Sequence, residues 1–232
     1  MYVIDGLPDR LRGWPWGCGE LGVAMVRYRR SVMRKLAGLC FLLAALLVSL
    51  SPAPAAASGP TEAIRRLNAE LLDTMQRAAQ LGVRGRYQKL EPIVFSTFDV
   101  PYMARLSIGP SWASLTPDQK KRAARAYGRY VAAVYATRFD GYSGERFEVL
   151  GEQKIKRGTL VKSQIVKSDG EPVSISYLVH DNVVGYQIRD VYLTGTISEL
   201  ATRRSEFAGI LRSNGIDGLI ASLNKKADDL QG

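Results

Sequence analysis

The stretch GYQIRDVYLTGTISELATRRSEFAGILRSNG, residues 185–215, reads as a strand, a tight turn and a helix. Side chains alternate between the two faces of a strand, so Asp190 is expected on the same face as Ile188. Helical periodicity places Arg204 in the centre of an apolar stripe that includes Phe207. Two charged residues are therefore predicted on the apolar sides of neighbouring elements.

These two charges allow three interpretations: a catalytic pair, a grip for an anionic ligand, or a structural ion pair. A lone buried charge is costly, so Asp190 and Arg204 should each have a partner. The turn at residues 194–196 would fold the helix back onto the strand and bring them together, in the bidentate geometry that arginine and carboxylate favour. The sequence therefore favours a structural ion pair between Asp190 and Arg204.

Residues 1–57 have the layout of an extra N-terminal segment followed by an export leader. A basic region with five Arg or Lys and no acid (residues 25–35) precedes an apolar run of 15 residues (36–50). Small residues then offer a cleavage site near Ala57, as in a secretory signal peptide. The apolar run is shorter than the roughly 20 residues of a bilayer span. An uncleaved anchor is the alternative.

The expected exported part, residues 58–232, is long enough for one well-buried core. It carries 25 Lys and Arg against 19 Asp and Glu, a net charge of +6, which suits anionic lipid surfaces or acidic partners, or simply solubility. Both cysteines, Cys18 and Cys40, lie in the leader, and the chain has one histidine, His180, at a predicted hairpin turn. One histidine cannot supply a typical zinc site. We therefore expect no metal, no cofactor and no catalytic triad.

Apolar periodicity and turn residues predict helices first, then a meander of strands, then helices again. The helix predictions are 61–81 and 86–98 with a break at Gly82 and Gly85, 101–108 capped by Asp99, 116–139 opening on a Thr116–Gln119 capping box, 197–213, and 215–229 after a break at Gly215. The strand predictions are 146–149, 153–156, 160–167, 173–180 and 183–193, with a hairpin turn at Asp181 and Asn182. This order predicts an α+β domain with an antiparallel sheet.

A family resemblance rests on three stretches: FDVPYMARLSIGPSWASLTPDQ, ATRFDGYSGERFEV and IRDVYLTGTISELATRRSEFAGILRSNGIDGLIASL. They resemble the MlaC-type, toluene-tolerance family of periplasmic phospholipid-binding proteins. Within it, YSGERFEV and GTISELATRRSEF are most similar to the hopanoid-biosynthesis-associated HpnM branch. The resemblance covers residues 61–228. It implies a helical layer on a twisted antiparallel sheet, an NTF2-like shape, and a deep apolar cavity for lipid acyl chains.

The resemblance also implies a function without catalytic residues. Such a protein would carry phospholipid or hopanoid across the periplasm between the inner and outer membranes, within an ABC-type or RND-type lipid transport system. Its partners would be an inner-membrane lipid transporter and an outer-membrane component, with no nucleic acid. The candidate lining residues are Phe98, Met103, Tyr127, Val131, Val134, Tyr135, Phe147, Val149, Tyr177, Val179, Tyr186, Ile188, Phe207 and Leu211.

Two alternatives remain open at this point. An enzyme on an NTF2-like cavity could use Asp190 with Tyr186 or Tyr192 as acid–base groups, which requires Asp190 to stand unpaired in a pocket. A scaffold that only docks transporter subunits would instead have a solid core without a cavity. Sequence periodicity does not separate a lined cavity from a filled core.

Overall fold

The computed structural model describes residues 59–232, and the predicted leader lies outside these residues. Within the described part, no helix is long and apolar enough to cross a membrane. The helices are α1 (Pro60–Gln76), α2 (Ala78–Thr97), α3 (Val100–Ile108), a 3-10 helix (Gly109–Ser114), α4 (Pro117–Arg138) and α5 (Glu199–Asp229). The strands are β1 (Arg146–Ile155), β2 (Gly158–Val166), β3 (Pro172–Asn182), β4 (Gly185–Leu193) and β5 (Ile197–Ser198).

Local sequence signals determine where the helices begin and bend. The predicted capping box is confirmed, since Thr116 Oγ1 accepts from the backbone N–H of Gln119 at 3.2 Å and the Gln119 side chain accepts in return at 3.1 Å. Asp99 caps α3 as expected. The predicted breaks are confirmed at Gly82 and Gly215, which have φ of 59° and 64° inside α2 and α5. Positive φ suits glycine because it has no Cβ.

The five strands form one antiparallel meander in the order β1-β2-β3-β4-β5. This confirms the predicted α+β class. The two strands predicted over 146–156 are one strand, β1, interrupted by a bulge between Val149 and Gly151. The predicted turn at Asp181 and Asn182 was also wrong, because both residues belong to β3 and Asn182 pairs with Gly185.

A second bulge, in β4, changes which side chains face the helices. Leu178 pairs with Asp190, but the next residue of β3 pairs with Ile188, so Arg189 is an extra residue without a partner. A bulge of this kind shifts the alternation of side chains by one. Ile188 therefore shares a face with Val191, and Asp190 lies on the opposite face.

The core lies between the helices and one face of the sheet. Its largest fully buried side chains include Tyr177 of β3, Phe98 at the α2–α3 junction and Phe207 of α5. Helix α4 packs against both α2 and α5. Ala132, Ala133 and Ala136 are completely buried in α4, and their small side chains let neighbouring elements approach this helix closely.

Candidate functional site

An apolar cavity of about 220 Å³ lies between α4 and the sheet. Helix α4 and its C-terminal end supply most of one wall, and β2, β3 and β4 supply the other. The lining residues are Phe98, Met103, Tyr127, Tyr130, Val131, Val134, Tyr135, Arg138, Phe139, Ile165, Ile175, Tyr177, Val191, Leu193, Glu199 and Arg203. The cavity volume lies below the roughly 300–1,000 Å³ of common small-molecule sites. A whole lipid would therefore have to widen the cavity or extend out of it.

The helical wall follows from the sequence of α4. Tyr127, Val131, Val134 and Arg138 recur at spacings of four, three and four, which places them on one face of a helix. The first is buried, the two valines are half-buried, and the arginine at the helix end is exposed. The face thus runs from an apolar interior to a charged end.

Aromatic contacts support the end of this wall. Tyr135 meets Phe98 edge-on, with ring centroids 5.7 Å apart and planes at 80°. Tyr135 also contacts Phe139 at 5.5 Å, and Phe139 contacts Phe147 of β1 at 6.2 Å. Edge-on and tilted pairs at these distances are favourable beyond their area burial. The chain of rings joins the α2–α3 junction, the end of α4 and the first strand.

Three tyrosines in the cavity wall remain uncharged. Burial raises the pKa of Tyr127, Tyr135 and Tyr177 above the ordinary tyrosine value. Their hydroxyls are therefore protonated at neutral pH, and none of them is poised to act as a base there. They add neutral polar side chains to a mainly apolar wall whose charged members are Arg138, Glu199 and Arg203.

The one ion-paired arginine of the cavity wall is Arg203. Its guanidinium lies 3.2 Å from Glu199 and 2.9 Å from Glu206. It also donates to the Tyr130 hydroxyl at 3.1 Å and stacks over that ring at 5.1 Å. Burial alone would lower the pKa of Arg203, but the hydrogen bond to Glu206 and the nearby negative groups raise it. Arg203 therefore stays charged, with its charge balanced inside the protein.

The second arginine of the cavity wall, Arg138, has no salt bridge within residues 59–232.

The predicted ion pair between Asp190 and Arg204 was wrong. One oxygen of Asp190 accepts from Ser198 Oγ at 2.7 Å, and the other accepts from the backbone N–H groups of Val191 at 2.9 Å and Leu200 at 3.3 Å. Arg204 is exposed and has no salt bridge in the described part of the chain. Asp190 lies on the other sheet face because of the β4 bulge, and its carboxylate holds the first turn of α5.

The position of Arg203 explains why Arg204 was wrongly predicted on the apolar stripe of the helix. Two sets of residues have the spacing of an apolar helical stripe: 200, 203 and 207, and 204, 207 and 211. The structure adopts the first, so Arg203 faces the cavity and Arg204 faces outward. Glu199 and Arg203 have the i,i+4 spacing of an ordinary surface pair, but the side chain of Arg203 is only 11% exposed and that of Glu199 only 19%.

The structure brings half of the predicted lining residues together at the cavity. These are Phe98, Met103, Tyr127, Val131, Val134, Tyr135 and Tyr177. Val179, Ile188 and Phe207 are buried in the core instead, while Phe147, Val149 and Leu211 are half-buried against it. Tyr186 lies near His180 at a separate depression. Contact of any of them with a ligand stays a prediction.

Sequence reasoning missed nine residues of the lining, and strand alternation could have found several of them. Ile175 shares a face with Tyr177 because the two are separated by one residue. Ile165 of β2 and Val191 of β4 lie on the same face of the sheet on the neighbouring strands, but identifying Val191 required the bulge. The full set is Tyr130, Arg138, Phe139, Ile165, Ile175, Val191, Leu193, Glu199 and Arg203.

The enzyme alternative loses its central residue in this geometry. Asp190 does not line the cavity, and each of its oxygens already accepts at least one hydrogen bond. The scaffold alternative called for a solid core, whereas the domain contains a cavity. The described residues also include no group of three or more His, Cys, Asp or Glu side chains that could hold a metal ion.

The fold and the cavity define a class of domain in which helices cover an antiparallel sheet and enclose an apolar space. The family model described as MlaC protein matches residues 65–225. The chain belongs to the MlaC family.

A solved structure has a similar fold: a phospholipid-binding protein from Ralstonia solanacearum in complex with a phospholipid. The TM-score is 0.66, with 16% sequence identity, and the match covers 75% of this chain and 100% of that chain. At this identity the likeness establishes the fold.

Proposed function

We propose that this protein is a periplasmic lipid carrier that binds the acyl chains of a phospholipid or a hopanoid in the cavity under α4. The observation that carries the proposal is the apolar wall formed by residues such as Val131, Val134 and Ile175, whose nearby arginine, Arg203, is neutralised by glutamates. Membership of the MlaC family and the phospholipid bound by the similar Ralstonia protein support this cargo class.

The binding energy would come from partition. Each buried CH₂ group contributes about 0.8 kcal/mol, so a chain of a dozen such groups could be held firmly. A strongly bound lipid leaves slowly, and a carrier therefore needs a partner that opens the cavity or competes for the lipid. We infer an inner-membrane lipid transporter and an outer-membrane component as those partners, with residues 58–232 as the exported single domain after cleavage of the leader. The hopanoid branch is the finer part of this proposal.

Mass spectrometry of an organic extract of the purified protein tests the proposal and names the cargo. We expect about one lipid molecule per protein molecule. A second arm incubates delipidated protein with vesicles that contain a fluorescent phospholipid and measures the lipid recovered with the protein. A protein that carries no lipid and also takes none from vesicles would contradict the carrier function.

A further inference from the structure

A second, polar depression lies at the tips of the β1–β2 and β3–β4 hairpins. Its volume is about 560 Å³, and it is lined by Tyr102, Lys154, Ile155, Lys156, Arg157, Gly158, Thr159, Val179, His180, Asp181, Tyr186 and Arg189. On β3 it begins at Val179, whereas the apolar cavity is lined by Ile175 and Tyr177. We refer to this depression as the basic pocket.

The floor of the basic pocket contains a guanidinium that the fold holds in place. Arg189 is the extra residue of the β4 bulge, and bulges commonly re-aim a side chain near a functional site. Its Nε donates to Asp99 Oδ2 at 2.9 Å, and its guanidinium stacks over Tyr102 at 4.4 Å. The side chain is 20% exposed. Its two terminal nitrogens have no hydrogen-bond partner among the described residues.

The strand that carries this guanidinium, β4, is hydrogen-bonded to the α2–α3 region. The backbone N–H of Asp99 donates to the Ile188 carbonyl at 2.9 Å, and the Gln187 side chain donates to the Ser96 carbonyl at 3.0 Å. The α2–α3 junction and β4 therefore act as one support. A charge fixed in this way needs little reordering when it binds a ligand.

Three further cations line the pocket and, unlike Arg189, have no carboxylate partner among the described residues. Lys154, Lys156 and Arg157 are exposed and form no salt bridge within residues 59–232. Arg157 donates to the uncharged Tyr192 hydroxyl at 3.1 Å. The single carboxylate in the lining is Asp181, and Asp99 beside the pocket balances Arg189. The pocket is thus net positive, and the field of several cations in a concave surface attracts anions.

We propose that the basic pocket binds a phosphate group. A guanidinium with free terminal nitrogens suits the planar, paired recognition of phosphate oxygens, and lysines add compact positive charges. The Thr159 hydroxyl and the tyrosine hydroxyls provide neutral donors. The phosphate could belong to a soluble phosphate compound or to an anionic phospholipid at a bilayer surface. This site is separate from the cavity, so the proposal does not depend on the cargo.

The one histidine of the chain makes the site directly observable. His180 lies in the pocket wall, and tag-free protein has a single imidazole whose proton resonances need no assignment among several residues. We expect inorganic phosphate to shift these resonances in a saturable way. Chloride at the same ionic strength should not reproduce the shift.

Matched variants separate a built site from general charge attraction. The pocket variant is Lys154→Gln/Lys156→Gln/Arg157→Gln. The control is Lys120→Gln/Lys121→Gln/Arg125→Gln, which removes three other cations of α4 that form no salt bridge within residues 59–232. We expect the pocket variant to weaken phosphate binding at least about tenfold and the control to change it less than about twofold. Circular dichroism verifies that both variants are folded.

Two titrations distinguish the source of the phosphate. One uses glycerol 3-phosphate, and the other measures co-sedimentation with vesicles of phosphatidylglycerol against vesicles of phosphatidylcholine. A pocket-dependent response to the anionic vesicles supports a headgroup ligand, and a response to glycerol 3-phosphate alone supports a soluble ligand. The absence of a saturable His180 shift, or an equal loss of binding in the control variant, would overturn the proposal.

Discussion

The apolar cavity and the basic pocket lie on the same sheet but differ in whether their cations are paired with carboxylates. In the cavity wall, Arg203 is neutralised by Glu199 and Glu206 within 3.2 Å. In the basic pocket, the exposed cations, such as Lys154, have no carboxylate partner among the described residues. The cavity is therefore suited to partition of apolar groups, and the pocket is suited to recognition of an anion. The bulge in β4 lies between the two regions: Arg189, the extra residue, lines the basic pocket, and Val191, two residues further on, lines the apolar cavity.

The largest expected loss of stability distinguishes a core residue, Phe207, from a residue of the cavity wall, Val134. Phe207 is 1% exposed and meets Tyr127 edge-on at 6.3 Å. Phe207→Ala should lower the free energy of unfolding by about 3–5 kcal/mol, since it leaves a void in the core. Val134→Ala, in the half-buried wall, should cost about 1–1.5 kcal/mol. Urea denaturation of both variants measures the difference, and a smaller loss for Phe207→Ala than for Val134→Ala would place Phe207 in the ligand space.

The next largest loss of stability distinguishes Asp190 from Arg204. Asp190→Ala removes the acceptor of three hydrogen bonds, two of them at the start of α5, and should cost about 3 kcal/mol. Arg204→Met, at an exposed position, should change stability by less than about 0.5 kcal/mol. Equal losses in urea denaturation would instead indicate that the two residues depend on each other.

An alkaline pH profile tests the uncharged cavity wall. Burial raises the pKa of Tyr177 in the folded protein. Above the pKa of the unfolded chain, near pH 10, the folded state retains the proton and the unfolded state loses it. Stability is therefore complete below about pH 10 and falls as the pH rises, by up to about 1.4 kcal/mol per pH unit for each such tyrosine.

Tyr177→Phe removes one of these groups and should flatten that decline. The measurement is the free energy of unfolding from pH 8 to pH 11, with Tyr142→Phe as the control, because Tyr142 is 45% exposed. An identical slope in wild type and Tyr177→Phe would contradict the buried, uncharged hydroxyl.

The smallest expected effect concerns the basic pocket. Its three exposed cations make no salt bridge in the described residues, so Lys154→Gln/Lys156→Gln/Arg157→Gln should leave the urea midpoint unchanged within experimental error. A clear loss of stability would show that these side chains support the hairpin itself, and would weaken the contrast between the two regions.

Local signals in the sequence were sufficient for much of the fold. The Thr116–Gln119 capping box, the Asp99 cap and the glycine breaks at Gly82 and Gly215 each depend on a few neighbouring residues. Such signals act through backbone geometry and do not need distant contacts.

The candidate site was predicted less completely because it depends on which face of a strand or helix each residue occupies. A single extra residue at Arg189 reversed the alternation of β4, so Asp190 was placed on the wrong face and Val191 was missed. On α5, two helical stripes fit the apolar pattern, and only packing against α4 selects Arg203 over Arg204. The seven lining residues that were found lie mainly on α4 and its surroundings, where the periodicity is unambiguous.

Lipid uptake by cavity-blocking variants tests the central claim most directly. Delipidated wild type, Val131→Trp/Val134→Trp and the control Val183→Trp are incubated with phospholipid vesicles, and the lipid bound per protein is measured by mass spectrometry. Val183 is fully exposed in the β3–β4 turn, so its substitution adds an indole without filling the cavity. We predict that the double variant remains folded and loses at least about 90% of the bound lipid, because its indoles occupy the space under α4. Wild-type uptake by the folded double variant would contradict the assignment of the cavity as the lipid site.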